Sequence, residues 1–344
     1  IRQSVTVKLV GNVPEAGEEI EDQRPMLAVM ASERKPLPQI GLGVASHGQA
    51  LNDKELARLA ALNLAHLRVG LRLSEPGYEA KLRQAAAEAD AIDAQLEVAL
   101  FLSDNAATEL AGFGRILAEI DPPVGHWLIF HNAEISPSSK WIKMARQYLA
   151  KFDTTTPIGS GTNIFFTELN RERPSIADLD LVCYSLNPQV HAFDNLSLVE
   201  TLAAQAETVA SARSFCGDKP LAVTPITLKM RFNPHATGPV PEPEPDQLPP
   251  AVDPRQMSLF GASWTVGSLK FLAAGDVQNL TFFETTGWRG VMETEAGSPL
   301  PDQFQSLPSS VFPMYHVFAD VGEFAGGEVL PTRSSNNLLV EALA

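Results

Sequence analysis

Cysteine is nearly absent: Cys183 and Cys216 are the only two among 344 residues. No Cys-x-x-Cys pair occurs, so neither a disulfide framework nor a thiolate zinc site is expected. Both cysteines read as buried free thiols, which suits a reducing compartment, the cytoplasm. Basic residues are also scarce. There are 26 Lys and Arg against 41 Asp and Glu, a formal net charge of −15. Nucleic acid and anionic membrane surfaces need a basic footprint, so neither is an expected partner. No apolar run approaches the roughly 18 residues of a membrane span.

Several reaction motifs are missing as well. There is no His-Glu-x-x-His for a metallohydrolase and no Gly-x-Ser-x-Gly nucleophile elbow. Gly41-Leu-Gly43-Val-Ala-Ser46 has two glycines of a dinucleotide loop but lacks the third. The expectation is a chain that works with no metal and no cofactor.

What is present is a regular alternation of strand-like and helix-like segments, the pattern of a parallel α/β sheet. Strands are expected at Ile40 to Ala45, His66 to Leu71, Leu96 to Leu102 and Trp127 to Phe130. Four more are expected at Pro157 to Ser160, Leu181 to Ser185, Pro220 to Thr224 and Asn279 to Phe283. Between them fall helical stretches: 53–62 opened by an Asn52 cap, 76–94, 106–120, 139–152, 197–213, 259–273 and 312–324. Eight such units predict a (β/α)8 TIM barrel over residues 36–326, in preference to an open doubly wound sheet.

Residues 1–35 and 327–344 fall outside that rhythm and read as short β-rich flanking segments. Strands are expected near Ser4 to Val10 and Met26 to Met30, and in the closing Asn-Leu-Leu-Val-Glu-Ala-Leu. The N-terminal alternation is that of a strand, not a signal peptide. The chain starts at Ile, as a piece of a longer protein would. Lys229 to Met257 is a long Pro-rich stretch expected to overhang the pocket from strand seven.

A barrel gathers its catalytic groups at the C-terminal ends of its strands. Two carboxylates stand at such ends: Glu134 after strand four and Glu284 after strand eight. Carboxylate pairs do acid/base work when their surroundings split their pKa values. The plainer reading of each is a structural carboxylate that caps a helix or pairs with an arginine. Around them the expected mouth is rich in hydrogen-bonding groups. These are Arg68 on strand two, His131 and Asn132 on strand four, Asn163 on strand five, Asn187 and His191 on strand six, Arg231, Asn233 and His235 after strand seven, and Trp288 after strand eight. Such a set suits a polyhydroxylated ligand, each buried hydroxyl needing a partner.

Six motifs carry a family resemblance. They are Gly159-Ser-Gly-Thr-Asn163 with Thr167-Glu-Leu-Asn-Arg171, Asn187-Pro-Gln-Val-His191-Ala-Phe-Asp194, Thr227-Leu-Lys-Met-Arg-Phe-Asn233-Pro, Asp253-Pro-Arg-Gln-Met257 and Phe283-Glu-Thr-Thr-Gly-Trp-Arg-Gly290. With them the chain resembles the D-apionate lactonase family and, more distantly, clan-A-type glycoside hydrolases. The resemblance implies a TIM barrel and hydrolysis of D-apionolactone to D-apionate in bacterial apiose catabolism, with a small sugar lactone as ligand. It also implies β-rich sequence on both sides of the barrel.

The chain departs from the glycosidase pattern at two places. Strand four reads Asn132-Ala-Glu134, with a residue inserted, and strand seven, Val223-Thr-Pro-Ile-Thr227, has no glutamate. The expected roles are therefore Glu134 and Glu284 as acid and base, His191 and Arg231 polarising the carbonyl, and Asn163, Asn187 and Trp288 holding hydroxyls. A glycoside hydrolase acting on a plant-type sugar is the alternative.

Overall fold

The computed structural model describes residues 24–233 and 243–344. The expected strand near Ser4 to Val10 and His235 lie outside them. Eight parallel strands close into a barrel: β1 (Gln39–Gly43), β2 (His66–Arg72), β3 (Gln95–Leu102), β4 (Val124–His131), β5 (Ile158–Phe165), β6 (Leu181–Leu186), β7 (Leu221–Ile226) and β8 (Asn279–Thr286). Closure is explicit, since β8 pairs in parallel with both β1 and β7. This is the (β/α)8 TIM barrel that the alternation predicts.

Each strand is buried on both faces, which is why the strands read as apolar runs. In β3 the outward Leu96, Val98, Leu100 and Leu102 join the core beneath the helices, while Ala99 and Phe101 pack inside the barrel with Leu128, Phe130, Leu181, Cys183 and Ala222. The helices are α1 (Asp53–Ala60), α2 (Tyr78–Ala91), α3 (Ala106–Ile120), α4 (Ser139–Leu149), α5 (Phe166–Arg171), α6 (Asn195–Glu200), α7 (Ala204–Cys216), α8 (Leu259–Ala274) and α9 (Pro313–Gly322). Asn52 caps α1 in a full capping box: its side chain accepts from the Lys54 and Glu55 amides, and the Glu55 carboxylate accepts from the Asn52 amide.

Three expectations are corrected. The helix expected over 197–213 is two helices, α6 ending at Glu200 and α7 beginning at Ala204, and at the junction the Thr201 hydroxyl bonds back to the Ser197 and Leu198 carbonyls. The stretch after strand five, where no helix is expected, forms α5. The closing residues 337–343 are not a strand. The C-terminal strand is Thr332–Ser334, paired antiparallel with Leu27–Val29, and Glu328–Val329 pairs with Lys35–Pro36. The described segments on either side of the barrel thus make two small two-stranded antiparallel sheets. The rest of the tail runs as irregular chain, held by the Leu330 amide donating to Ala344 and by a Lys270–Glu341 ion pair of 2.7 Å.

Candidate active site

A cavity of about 460 Å³ opens at the C-terminal ends of the strands. Its position is the one in which a barrel brings distant residues together. The described part of the Pro-rich stretch overhangs it through Ala251, Asp253 and Gln256.

Glu284 enters this cavity because of a local irregularity. Thr281 points into the barrel, where its hydroxyl donates to Glu97. Simple alternation would then send residue 283 inward and residue 284 outward. Instead Phe283 has a left-handed φ of 36°, and the register with β1 shifts between Phe282 and Glu284. Phe283 therefore faces the helices, packing on Trp264 and Phe318, and Glu284 faces the cavity. Left-handed backbone is costly for a bulky residue and tends to occur at functional sites.

Both carboxylate oxygens of Glu284 are held. Oε1 lies 2.7 Å from Arg289 Nη2, and Oε2 accepts the Ser46 amide at 2.9 Å. A turn over residues 287–289 brings Arg289 back, closed by the Glu284 amide donating to the Arg289 carbonyl at 2.8 Å. Gly43 makes the approach possible, since a Cβ there would lie 2.9 Å from the Phe283 carbonyl oxygen.

Across the cavity two guanidinium groups share one acceptor. Arg68 Nη2 and Arg231 Nη2 each donate to Asn163 Oδ1 at 3.1 Å, and Arg231 also reaches the Asn163 carbonyl at 2.9 Å. Burial, then the positive neighbours Arg68 and Arg289, push the Arg231 pKa well down from its ordinary value.

Below the cavity lies a polar core. Arg68, Glu97 and His126 are register neighbours on β2, β3 and β4. The wholly buried Glu97 carboxylate bonds His126 Nε2 at 2.9 Å, accepts the hydroxyls of Thr281 and Thr224, and lies 3.0 Å from Arg68 Nε as an ion pair. His66 Nε2 bonds Thr281 Oγ1 at 2.8 Å. Burial opposes the charge on Glu97, but His126, His66 and Arg68 outweigh it and hold its pKa down to about 2. Burial likewise lowers the pKa of His66 to about 4, against the pull of Glu97.

The expected site residues divide among several places. Glu284, Arg68, Asn163 and Arg231 line the main cavity. Asn187 adjoins it, in a narrow cleft beside Asn163 and Arg231, with its Oδ1 buried and unpartnered among the described residues. His131, Asn132 and Glu134 line an adjoining rim pocket of about 230 Å³, which shares Arg72, Phe101, Asn163 and Phe232 with the main cavity.

The geometry of Glu134 is that of its plainer reading. Its carboxylate accepts the Ser138 amide at 2.6 Å and Trp141 Nε1 at 2.8 Å, tying down the start of α4. Burial would raise its pKa, but those bonds prevail and lower it, the opposite of what a general acid needs. His131 stacks on Trp141 at 4.3 Å, and Asn132 accepts from Arg72 at 2.6 Å. His191 is exposed on the loop after β6 and lines none of these pockets. Asn233 is exposed at the edge of the described residues. Trp288 faces a neighbouring cavity of about 450 Å³, which the Glu284–Arg289 pair separates from the main one. Its Nε1 donates to Ser298 at 2.9 Å.

Several residues were missed. Lys81 sits in the first turns of α2, not at a strand end, yet it lines the cavity. Much of its side chain is open at the mouth, while desolvation, then Arg68, push its pKa down. Glu97, His66 and His126 lie within the barrel below the strand ends, where the local rule for catalytic groups does not reach. A glutamate inside the apolar run Leu96 to Leu102 was the available signal, since a fully buried charge must be paired. Among the described residues no group of three or more His, Cys, Asp or Glu is placed to hold a metal ion.

Comparison with known proteins places this barrel. Residues 40–326 match the family described as D-apionate lactonase, TIM barrel domain. The chain belongs to that family. A D-apionate lactonase of Brucella anthropi is 35% identical over 144 residues, which is 41% of this chain and 23% of that protein. The match thus spans about a quarter of the curated relative. Solved structures share the fold at low identity. An arabinofuranosidase superposes with TM-score 0.61 and 12% identity, covering 91% of this chain and 76% of its own. The family 51 α-L-arabinofuranosidase AbfB of Bifidobacterium longum gives 0.58 and 12%, covering 91% and 79%. A β-glucuronidase of Ruminococcus gnavus gives 0.55 and 11%, covering 87% and 52%. The D-apionate lactonase family barrel is thus built like those of glycoside hydrolases. No helix among the described residues is long and apolar enough to cross a membrane.

Proposed function

We propose that this chain is a hydrolase that opens a sugar lactone, D-apionolactone to D-apionate in bacterial carbohydrate catabolism, by carboxylate-assisted attack of water. The observation that carries the reading is Glu284, turned into the cavity at Phe283 and fixed at both oxygens by Arg289 and the Ser46 amide. Each oxygen keeps a lone pair for a water molecule. Glu284 takes one proton from that water as its oxygen bonds the lactone carbonyl carbon. Arg68 and Arg231, held together on Asn163, face the same space and stabilise the oxyanion. The ring C–O bond then breaks, the leaving alkoxide takes the proton back from Glu284, and the new acid ionises into solvent.

Glycoside cleavage fits less well. It needs two carboxylates flanking one bond. Besides Glu284 the described residues of the main cavity offer Asp253, whose two oxygens are taken up by Arg255 and Gln189, and Glu75, 64% exposed at the rim. Glu134 lies in the other pocket. The two buried free thiols are in keeping with a reducing compartment such as the cytoplasm.

A panel of aldonolactones including D-apionolactone, followed by pH-stat beside aryl glycosides, tests the reading. Acid release from lactones is expected. Cleavage of glycosides with every lactone untouched would overturn it.

A further inference from the structure

The main cavity is strongly cationic in a chain whose net charge is −15. Six of its lining side chains are basic: Arg68, Arg72, Lys81, Lys229, Arg231 and Arg289. Three of these have carboxylate partners. Arg289 pairs with Glu284, Arg72 lies 3.7 Å from Glu75, and Arg68 rests on Glu97. Asp253, the remaining lining carboxylate, belongs to Arg255. Lys81, Lys229 and Arg231 have no carboxylate within salt-bridge distance among the described residues. Neither ammonium makes a hydrogen bond there.

Like charges lining one cavity repel one another, weakly where water screens them as at Lys81 and more strongly where they are buried, and an anion placed among them relieves that repulsion. One developing oxyanion needs a single pair of donors, which Arg68 and Arg231 already supply. Lys81 and Lys229 are surplus to that need.

We infer that Lys81, Lys229 and Arg231 form an anion subsite that takes the carboxylate of a polyhydroxylated acid. The inference deepens the lactonase reading and rests on it for the identity of that acid. The carboxylate has two possible sources: the aldonate formed by hydrolysis, or an acidic group carried by the lactone itself.

Calorimetry on the full-length protein with D-apionate and its neutral alditol tests the subsite without turnover. D-apionate is expected to bind at least about tenfold more tightly, as hydrogen bonds to charged groups allow. The difference should shrink as salt rises. Lys81→Gln and Lys229→Gln should each reduce it several-fold, whereas Lys151→Gln, beyond the end of α4, should not. Arg231 is left intact because it also serves the oxyanion, and a thermal melt of each variant identifies loss of fold. Equal affinity for acid and alditol, or a difference untouched by both folded lysine variants, overturns the inference.

Rates on D-glucaro-1,4-lactone and D-gluconolactone assign the source. Preference for the former means that the charge enters with the substrate; preference for the latter means that it is created in the product. If no lactone turns over while D-apionate still binds through the lysines, the lactonase reading fails and the subsite stands.

Discussion

The left-handed backbone of Phe283 is what aims Glu284. With φ at 36° and the register shifted by one, two consecutive phenylalanines face the helices and the next side chain turns into the cavity. The first prediction follows directly. Glu284→Gln keeps the size and loses the base, so kcat/KM for the lactone should fall about 100- to 10,000-fold. Circular dichroism and the melting temperature should change little. Full activity in the folded variant would remove Glu284 from the mechanism.

Gly43 is the neighbour that permits this geometry. Gly43→Ala places a methyl group 2.9 Å from the Phe283 carbonyl, which is backbone and cannot swing away. A drop in kcat of tenfold or more is expected, from displacement of the carboxylate by a fraction of an ångström. Gly114→Ala is the control, because its methyl group, on α3 and away from the cavity, meets nothing within 4 Å. Similar kinetics for the two variants would refute the argument.

Glu134 should behave as a fastener of α4. Glu134→Ala leaves the Ser138 amide and the Trp141 indole without their acceptor. A loss of about 1 kcal/mol in urea denaturation is expected, the usual effect of removing a helix-capping group, with kcat unchanged. His191→Ala, on an exposed loop, should alter neither quantity. A large fall in kcat for Glu134→Ala at unchanged stability would restore it to the chemistry.

The polar core beneath the cavity predicts acid sensitivity. The His66 pKa falls, through burial first, from its ordinary 6.5 to about 4 in the folded chain. Between those values only the unfolded chain binds the proton, so stability rises with pH across that window and is fully present above it. Glu97 moves from its ordinary 4.5 to about 2, so its contribution is present above pH 4.5 and lost as pH falls through about 2. Stability should therefore decline by a few kcal/mol from pH 6.5 to 4, on the order set by the linkage relation. His66→Gln should flatten that slope. Urea midpoints that are constant from pH 4 to 6.5 in the unsubstituted protein would contradict the assignment.

Much of the scaffold was legible because it obeys local rules. Leu96 to Leu102 is, Glu97 apart, apolar on both faces of a buried strand, Asn52 and Glu55 cap their helix within four residues, and the spacing of such units counts a barrel of eight. The same rules located Glu284, Arg68, Asn163 and Arg231 at the strand ends. They could not separate them from Glu134 or His191, which meet the same local criterion and lie outside the main cavity. Direction along a strand end depends on one dihedral, and at Phe283 that dihedral departs from alternation and turns the ring onto Trp264 and Phe318.

Lys81 needed the barrel to exist before a helix residue could count as part of the mouth. Likewise, the partners of Glu97 come from β2, β4, β7 and β8, far apart in the chain. The sequence alone, then, determined the barrel and the family, since periodicity and short motifs are local properties. Which carboxylate faces the cavity, and that the cavity of an acidic chain is cationic, were decided only when closure of the sheet brought distant charges within reach of one another.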